Sequence, residues 1–201
     1  MNKIRLGEAV TEGWNLYTKN FGLLLLATLL VMVVSVVTCG IAQAPLLAGL
    51  FALLPRLSGG AAPRPTAGDV FNGFSRFKQP FLLYLVVFGL LCLLSMLTMC
   101  LAFGIVQALV VQLVAAPAYI WSLMLVTYRD MTWSEALGTT FKALRQGEFW
   151  GQILLGIVAA ALGTMGMALF CIGAILTLPL VVCIYKAGFD QVYGGGERAV
   201  C

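Results

Sequence analysis

The chain has 201 residues, of which 61% are hydrophobic and only 10% are charged. Soluble proteins are about half apolar and about a quarter charged, so water cannot be the solvent for most of this surface and a soluble globular domain is excluded. The net charge of +4 comes from dispersed basic residues mixed with acidic ones, which argues against nucleic-acid binding.

The twenty charged side chains occupy four segments, residues 3–19, 56–78, 129–148 and 186–198. The uncharged stretches between them are about 36 to 50 residues long, enough for two membrane crossings of about 20 residues each. A charge at the bilayer centre costs about 2.5–3.5 kcal/mol, so spanning helices must exclude it. We therefore predict an all-α integral membrane protein with six transmembrane helices. The predicted spans are residues 21–38, 41–56, 80–99, 104–127, 150–169 and 172–189.

The two spans of each pair are joined by a short uncharged connection that contains a glycine, at residues 38–40, 100–104 and 170–173. A glycine at such a place ends or turns a helix, so we predict three tight hairpins. All lysines and arginines then lie on the side that also holds both termini. The positive-inside rule makes that side the cytoplasm.

An amphipathic helix is predicted before each hairpin. In the first charged segment Val10, Trp14, Tyr17 and Phe21 recur at helical spacing. The same apolar pattern returns at an offset of 60 as Val70, Phe74, Phe77 and Phe81. At an offset of 127 it returns as Leu137, Phe141 and Leu144, and Phe149 follows one residue later than the offset predicts. Thr132 and Glu135 have the spacing of a capping box that would start the third of these helices.

The repeat unit is thus one interfacial amphipathic helix plus a transmembrane hairpin, and three parallel copies are expected around an approximate three-fold axis. We predict one membrane domain over 1–201, with units at about 4–57, 69–128 and 132–193, a flexible tether at 58–68 and a mobile tail at 194–201. The aromatic residues of the amphipathic helices are interpreted as membrane-interface anchors, namely Trp14, Tyr17, Phe21, Phe74, Phe77, Phe81, Phe141 and Phe149. Docking of a cytoplasmic partner, or sensing of lipid packing, is the alternative role for these helices.

Nothing in the residue pattern indicates catalysis, a metal or a cofactor. The chain has no histidine, and it lacks nucleotide-binding and hydrolase motifs. Its cysteines do not have zinc or redox spacing. Cys39, Cys100 and Cys171 lie near the predicted hairpin tips and are interpreted as small hydrophobic residues, with a disulfide between two of them left open. We therefore predict that the protein is not an enzyme.

Few polar residues fall within the predicted spans, and the only charges there are Arg56 and Lys186 near the cytoplasmic ends, which argues against ion-coupled transport. We interpret Gln43, Gln107 and Gln112 as interhelical hydrogen-bonding groups, or alternatively as a path for a neutral solute. Small residues on the fifth span permit close helix packing, in one row Gly156, Ala160 and Thr164 and in an adjacent row Ala159 and Gly163. Their partner is the sixth span or, alternatively, a second protomer or another membrane protein.

Several runs of the sequence belong together, namely Pro45 and Gly49, GDVFNGF at 68–74, SEAL at 134–137, FCIG at 170–173, Leu178-Pro179, Tyr185, Asp190 and Tyr193-Gly194. In these runs the chain resembles a broad superfamily of bacterial six-span membrane proteins, which includes the membrane module fused to some glycerophosphodiester phosphodiesterases. The resemblance implies a bacterial inner-membrane location and the same six-span architecture, and it carries over no catalytic residue.

These observations favour a non-catalytic polytopic inner-membrane protein with both termini in the cytoplasm. We expect it to act as an accessory or scaffold subunit that packs with a membrane-protein partner or with further copies of itself. The alternatives are a transporter or channel for a neutral or lipid-like solute, a lipid-sensing membrane regulator, and a membrane-embedded enzyme, which would need a cluster of Asp or Glu with Lys or Arg at a cytoplasmic cleft. A cavity on the three-fold axis would favour the transporter, and a filled axis would count against it.

Overall fold

The computed structural model describes residues 4–59, 64–99, 114–143, 149–168 and 170–194. Within these ranges the chain is helical with turns and contains no strand, so the predicted all-helical class is confirmed. The helices are α1 Leu6–Lys19, α2 Phe21–Val37, α3 Gln43–Ser58, the 3-10 helix η1 Ala67–Arg76, α4 Lys78–Met99, α5 Ala116–Arg129, α6 Trp133–Ala143, α7 Phe149–Ala168 and α8 Phe170–Tyr193.

Length and apolar composition support two or three membrane spans among the described residues. The segments Lys78–Met96 of α4 and Ile175–Tyr193 of α8 are each long and apolar enough to cross a bilayer. Helices α1 and α2 also qualify as a pair, but they are bent by 91° at Asn20. The remaining predicted spans coincide with helices that are shorter over the described residues, such as α2 with 17 residues and α3 with 16. Six spans remain a prediction.

The second helix of each predicted hairpin lies at the centre of the bundle. Helices α3, α5 and α8 contact one another, whereas α2, α4 and α7 lie outside them. Burial reflects this arrangement, since 56% of the apolar part of α8 is buried but only 11% of that of α4. The centre is filled by large side chains that are fully buried, among them Phe51, Trp121 and Phe189.

The bend between α1 and α2 falls where the sequence changes from amphipathic to wholly apolar. The Asn20 side-chain amide donates a hydrogen bond to the Leu16 carbonyl at 3.2 Å and so closes the end of α1. Across the bend the rings of Tyr17 and Phe21 meet edge to face at 5.3 Å between centroids. Phe21 therefore begins α2 instead of continuing the face of α1.

The second amphipathic segment differs from the expected α-helix. It forms the 3-10 helix η1, which has about three residues per turn and places residues three apart above one another. Phe71, Phe74 and Phe77 accordingly stack in series, with centroids 6.3 and 6.2 Å apart. Phe81 belongs to α4 and not to this helix. A capping box between Thr66 and Asp69 starts η1.

The three connections predicted within the hairpins have different outcomes. The first turn is confirmed, because Cys39 and Gly40 adopt left-handed backbone angles with φ of 50° and 84°. The second lies outside the described residues. The third was placed wrongly, since α8 already begins at Phe170 and Gly173 is buried within it. Both ends of the segment predicted as a tether are helical, because Ser58 ends α3 and residues 67–68 belong to η1, and its residues 60–63 lie outside the described residues. Except for Gly194, the predicted tail lies outside the described residues.

The three amphipathic segments pack in a cyclic order. Helix η1 lies against α3, and α6 lies against α5, so each contacts the second helix of the preceding hairpin. Helix α1, which has no preceding hairpin, lies against α8, the second helix of the last one. The chain thus closes a ring of three similar contacts around the central helices.

Small residues occupy the same position in each of these contacts. Gly13, Gly73 and Thr140 are separated by the predicted repeat offsets of 60 and 127. A Cβ atom at Gly13 would lie within 2.9 Å of backbone atoms of α8, and one at Gly73 would overlap the backbone at Gly49. Thr140 instead places its hydroxyl 3.0 Å from that of Ser122 on α5. Close backbone approach therefore explains why the first two positions carry no side chain.

Candidate functional site

Polar side chains collect in two clefts at the end of the bundle that carries the charged segments. The basic cleft, of about 550 Å³, lies between α3, η1, the start of α4 and the end of α5. The lysine cleft, of about 350 Å³, lies between α1, the end of α3 and α8. The polar residues central to the basic cleft are Arg56, Asp69, Arg76, Lys78, Gln79 and Asp130. Those of the lysine cleft are Glu12, Asn15, Lys19, Asn20, Lys186 and Asp190.

The two clefts occupy equivalent places in the predicted repeats. The lysine cleft lies between α1, the central helix α8 on which α1 packs, and the end of α3, the central helix of the predicted hairpin that follows α1. The basic cleft lies between η1, the central helix α3 on which η1 packs, and the end of α5, the central helix of the predicted hairpin that follows η1. Five pairs of lining residues lie sixty positions apart, namely Glu12 and Asn72, Asn15 and Ser75, Leu16 and Arg76, Lys19 and Gln79, and Asn20 and Pro80. The positions are equivalent, but the side chains differ in polarity and charge, most clearly between Leu16 in the lysine cleft and Arg76 in the basic cleft.

A buried ion pair defines the lysine cleft. The Nζ atom of Lys186 lies 2.5 Å from Oδ2 of Asp190 and donates a hydrogen bond to the Ser58 hydroxyl at 3.1 Å. Only 8% of Lys186 is exposed. The other carboxylate oxygen of Asp190 has no hydrogen-bond partner among the described residues. A lysine this deep requires its carboxylate, because an unpaired buried charge is strongly unfavourable.

The basic cleft carries more positive than negative charge. Arg56 lies 3.8 Å from Asp69, and Arg76 forms an ion pair with Asp130. Lys78 lines the same cleft and makes no ion pair with any residue that the structure describes. Three cations therefore face two carboxylates, which leaves an excess of one positive charge.

Helix α6 is joined to the rim of the basic cleft at its first turn. The backbone N–H of Trp133 donates a hydrogen bond to Oε1 of Gln79 at 3.1 Å. The predicted capping box is confirmed, because Glu135 Oε2 accepts from the Thr132 N–H at 3.1 Å and the Thr132 hydroxyl accepts from the Glu135 N–H at 3.4 Å. Hydrogen bonding from the Thr132 side chain and backbone lowers the pKa of the Glu135 carboxyl.

The predicted anchors divide into exposed and packed side chains. Trp14, Phe74 and Phe141 occupy the same repeat position, and they are 52%, 38% and 58% exposed. Tyr17 is buried, and its hydroxyl donates to the Leu176 carbonyl at 3.1 Å. Burial raises the pKa of the Tyr17 hydroxyl. Of the other predicted anchors, Phe21 is exposed, Phe77 and Phe81 are half-buried, and the side chain of Phe149 lies outside the described residues.

The predicted packing residues follow the face of α7 only in part. Gly156 and Ala159 are buried, Ala160 and Gly163 are half-buried, and Thr164 is exposed. Helix α7 packs on α8, so the chain's own last helix is the neighbour of this face. The buried stripe also includes Gln152 and Leu155, which the small-residue pattern missed. Gln152 is 1% exposed, and neither its amide oxygen nor its amide nitrogen has a partner among the described residues.

Only one residue of the predicted solute path lies among the described residues. Gln43 is exposed in the first turn of α3, and Gln107 and Gln112 lie outside the described residues. Between the central helices, Trp121 meets Phe189 edge to face at 6.5 Å, and the Tyr128 hydroxyl donates to the Phe51 carbonyl at 2.9 Å. Side chains thus fill the space around these four residues, and a route past Gln107 and Gln112 stays a prediction.

Sequence reasoning missed both clefts because it interpreted the charged segments as helices that lie in the membrane interface. A signal was nevertheless present in α8, where Lys186 and Asp190 are one helical turn apart in an otherwise apolar helix. The described residues contain no group of three or more histidine, cysteine, aspartate or glutamate side chains placed to hold a metal ion. Among the described cysteines, Cys39, Cys92 and Cys183 are free thiols.

An all-helical bundle with two or three candidate spans, and with its polar clefts at one end, is compatible with a membrane protein. No protein-family model, curated protein or solved structure matches this chain. The function is therefore argued from its own residues.

Proposed function

We propose that the chain is a polytopic inner-membrane protein with six spans in three parallel units and both termini in the cytoplasm. The cyclic packing of α1 on α8, η1 on α3 and α6 on α5 supports this architecture, because three similar units around one axis produce such a ring. The short helices α2 and α3 are accommodated by local thinning of the bilayer. The resemblance of the chain to a superfamily of bacterial six-span membrane proteins also supports this architecture.

Amphipathic segments at the membrane surface fit the same architecture. Helix α1 meets the apolar helix α2 at 91°, the angle between a helix lying in the interface and one that crosses the bilayer. Trp14, Phe74 and Phe141 point away from the bundle at equivalent positions. Aromatic rings at such positions favour the headgroup region and hold the spans at a defined depth.

The function that we propose is a non-catalytic accessory or scaffold role within the membrane. The observation that carries it is the contrast between the filled centre and the open flank of the bundle. Only 11% of the apolar part of α4 is buried, and exposed side chains follow its length, such as Phe88, Leu90 and Leu93. With the centre filled, the lateral apolar faces and the two clefts remain for binding other molecules. A membrane helix of a partner or of a second copy fits the flank of α4.

Site-specific photocrosslinking in intact membranes tests this role. A photoreactive residue at Leu90 or Leu93 of α4 should yield a discrete protein adduct, either with a second copy or with one recurrent membrane protein identified by mass spectrometry. The same group at Leu46, which is fully buried, is the matched control and should crosslink only within the chain. Adducts with lipid alone at both α4 positions would contradict the accessory role.

Cysteine accessibility tests the orientation independently. In a variant that retains only Cys39, an impermeant thiol reagent added to intact cells should label the protein, because Cys39 is exposed at the α2–α3 turn. Variants with Arg64→Cys or Arg145→Cys as their only thiol should be labelled only after the membrane is permeabilised. Labelling of position 64 or 145 from outside would overturn the proposed topology.

A further inference from the structure

We propose that the basic cleft binds the phosphate of an anionic phospholipid headgroup, with an acyl chain lying along α4. This inference rests on the proposed membrane architecture, which places the cleft at the cytoplasmic surface. It identifies a ligand for a site at which the sequence analysis assigned no role.

The charge of the cleft matches a phosphodiester. Asp69 and Asp130 balance Arg56 and Arg76, and Lys78 supplies the remaining positive charge. A phosphodiester headgroup such as that of phosphatidylglycerol carries one negative charge, so the bound state is neutral. The two guanidinium groups also provide planar donors that suit phosphate oxygens.

The surroundings of the cleft favour a lipid over a soluble phosphate. Lys78 is the first residue of α4, and the cleft therefore opens at the end of the least buried apolar helix. Leu85 and Phe88 are exposed about two and about three helical turns further along. A cationic end followed by an apolar flank has the same polarity as a phospholipid, whose headgroup adjoins its acyl chains. Basic pockets between membrane helices on the cytoplasmic side commonly bind anionic headgroups.

The lysine cleft provides an internal comparison. Its two cations, Lys19 and Lys186, are matched by Glu12 and Asp190, so it has no excess charge. It is also smaller, at about 350 Å³ compared with about 550 Å³. Substitution of one lysine in each cleft therefore separates specific headgroup binding from general attraction to an anionic surface.

Lipid binding by the full chain in nanodiscs is the direct measurement. Phosphatidylglycerol is titrated into phosphatidylcholine nanodiscs, and the lipid retained by the protein is quantified by native mass spectrometry. Lys78→Gln removes the cation that has no ion-pair partner among the described residues and leaves the two arginine–aspartate pairs intact. It should lower the apparent affinity for phosphatidylglycerol about five-fold, the effect of one basic residue near a membrane surface. Lys19→Gln and Lys142→Gln, at exposed positions outside this cleft, should leave it unchanged.

Two outcomes overturn the lipid site. One is equal retention of phosphatidylglycerol by Lys78→Gln and the unaltered protein, or an equal loss in Lys19→Gln. The other is displacement of the lipid by millimolar glycerol phosphate, which would identify a site for soluble phosphate instead. If the chain enters nanodiscs but does not discriminate between the two lipids, this inference fails alone. If it does not insert into a bilayer, the proposed architecture fails with it.

Discussion

Lys186 and Asp190 form a salt bridge of 2.5 Å across one turn of α8, with the lysine 8% exposed. Both residues lie within Ile175–Tyr193, one of two segments among the described residues that are long and apolar enough to span a bilayer. Ser58, at the end of α3, accepts a further hydrogen bond from the lysine and joins the pair to a second central helix. Two opposite charges are thus retained where either one alone would be costly.

Removal of one partner of this pair should harm the fold more than removal of both. Asp190→Asn leaves the lysine charge buried and should lower the free energy of unfolding by about 3 kcal/mol. Lys186→Met combined with Asp190→Leu should recover most of that loss, because no charge then remains. Unfolding of the purified protein in mixed micelles measures both. A double variant that is no more stable than Asp190→Asn would contradict the interpretation of a compensated pair.

Addition of one methyl group at Gly49 should disrupt the contact between α3 and η1. A Cβ atom there would overlap the carbonyl group of Val70, and neither backbone segment can move without disturbing Gly73 opposite. We expect Gly49→Ala to lower stability by about 3 kcal/mol, at the upper end of the cost of overpacking. Gly138→Ala on α6 is the matched control, because no atom lies within 4 Å of its Cβ position. Equal thermal stabilities of the two variants would show that this close approach is not required.

Replacement of Gln152 by leucine should stabilise the protein. The amide is 1% exposed, and both of its polar atoms lack partners among the described residues, so its burial is uncompensated. Gln152→Leu removes that penalty and should raise the free energy of unfolding by about 1–3 kcal/mol. Gln43→Leu, at an exposed position in α3, should change it little. A lower melting temperature for Gln152→Leu would instead indicate that the amide makes a necessary polar contact.

Much of the local structure could be predicted because it depends on local pattern. Exclusion of charge from long apolar runs predicted the apolar helices, and helical spacing predicted the amphipathic ones, within a few residues at most described ends. The capping box at Thr132 and Glu135 and the turn at Cys39 and Gly40 depend on hydrogen bonds and backbone angles within a few residues. The spacing of Val70, Phe74 and Phe77 indicated an amphipathic element correctly but not its 3-10 geometry, because close contact with α3 also acts on that segment.

By itself, the sequence determined the helical class, the separation of charged ends from apolar stretches, and the three amphipathic segments, since all three follow from hydropathy and periodicity along the chain. Only the tertiary structure decided that α1 packs on α8, that the buried Lys186 meets Ser58 of α3, and that Arg56, Arg76 and Lys78 share one cleft. These relationships join residues from helices far apart in the chain. They depend on which helix faces meet, and that is set by close packing between backbones, as at Gly13 and Gly73.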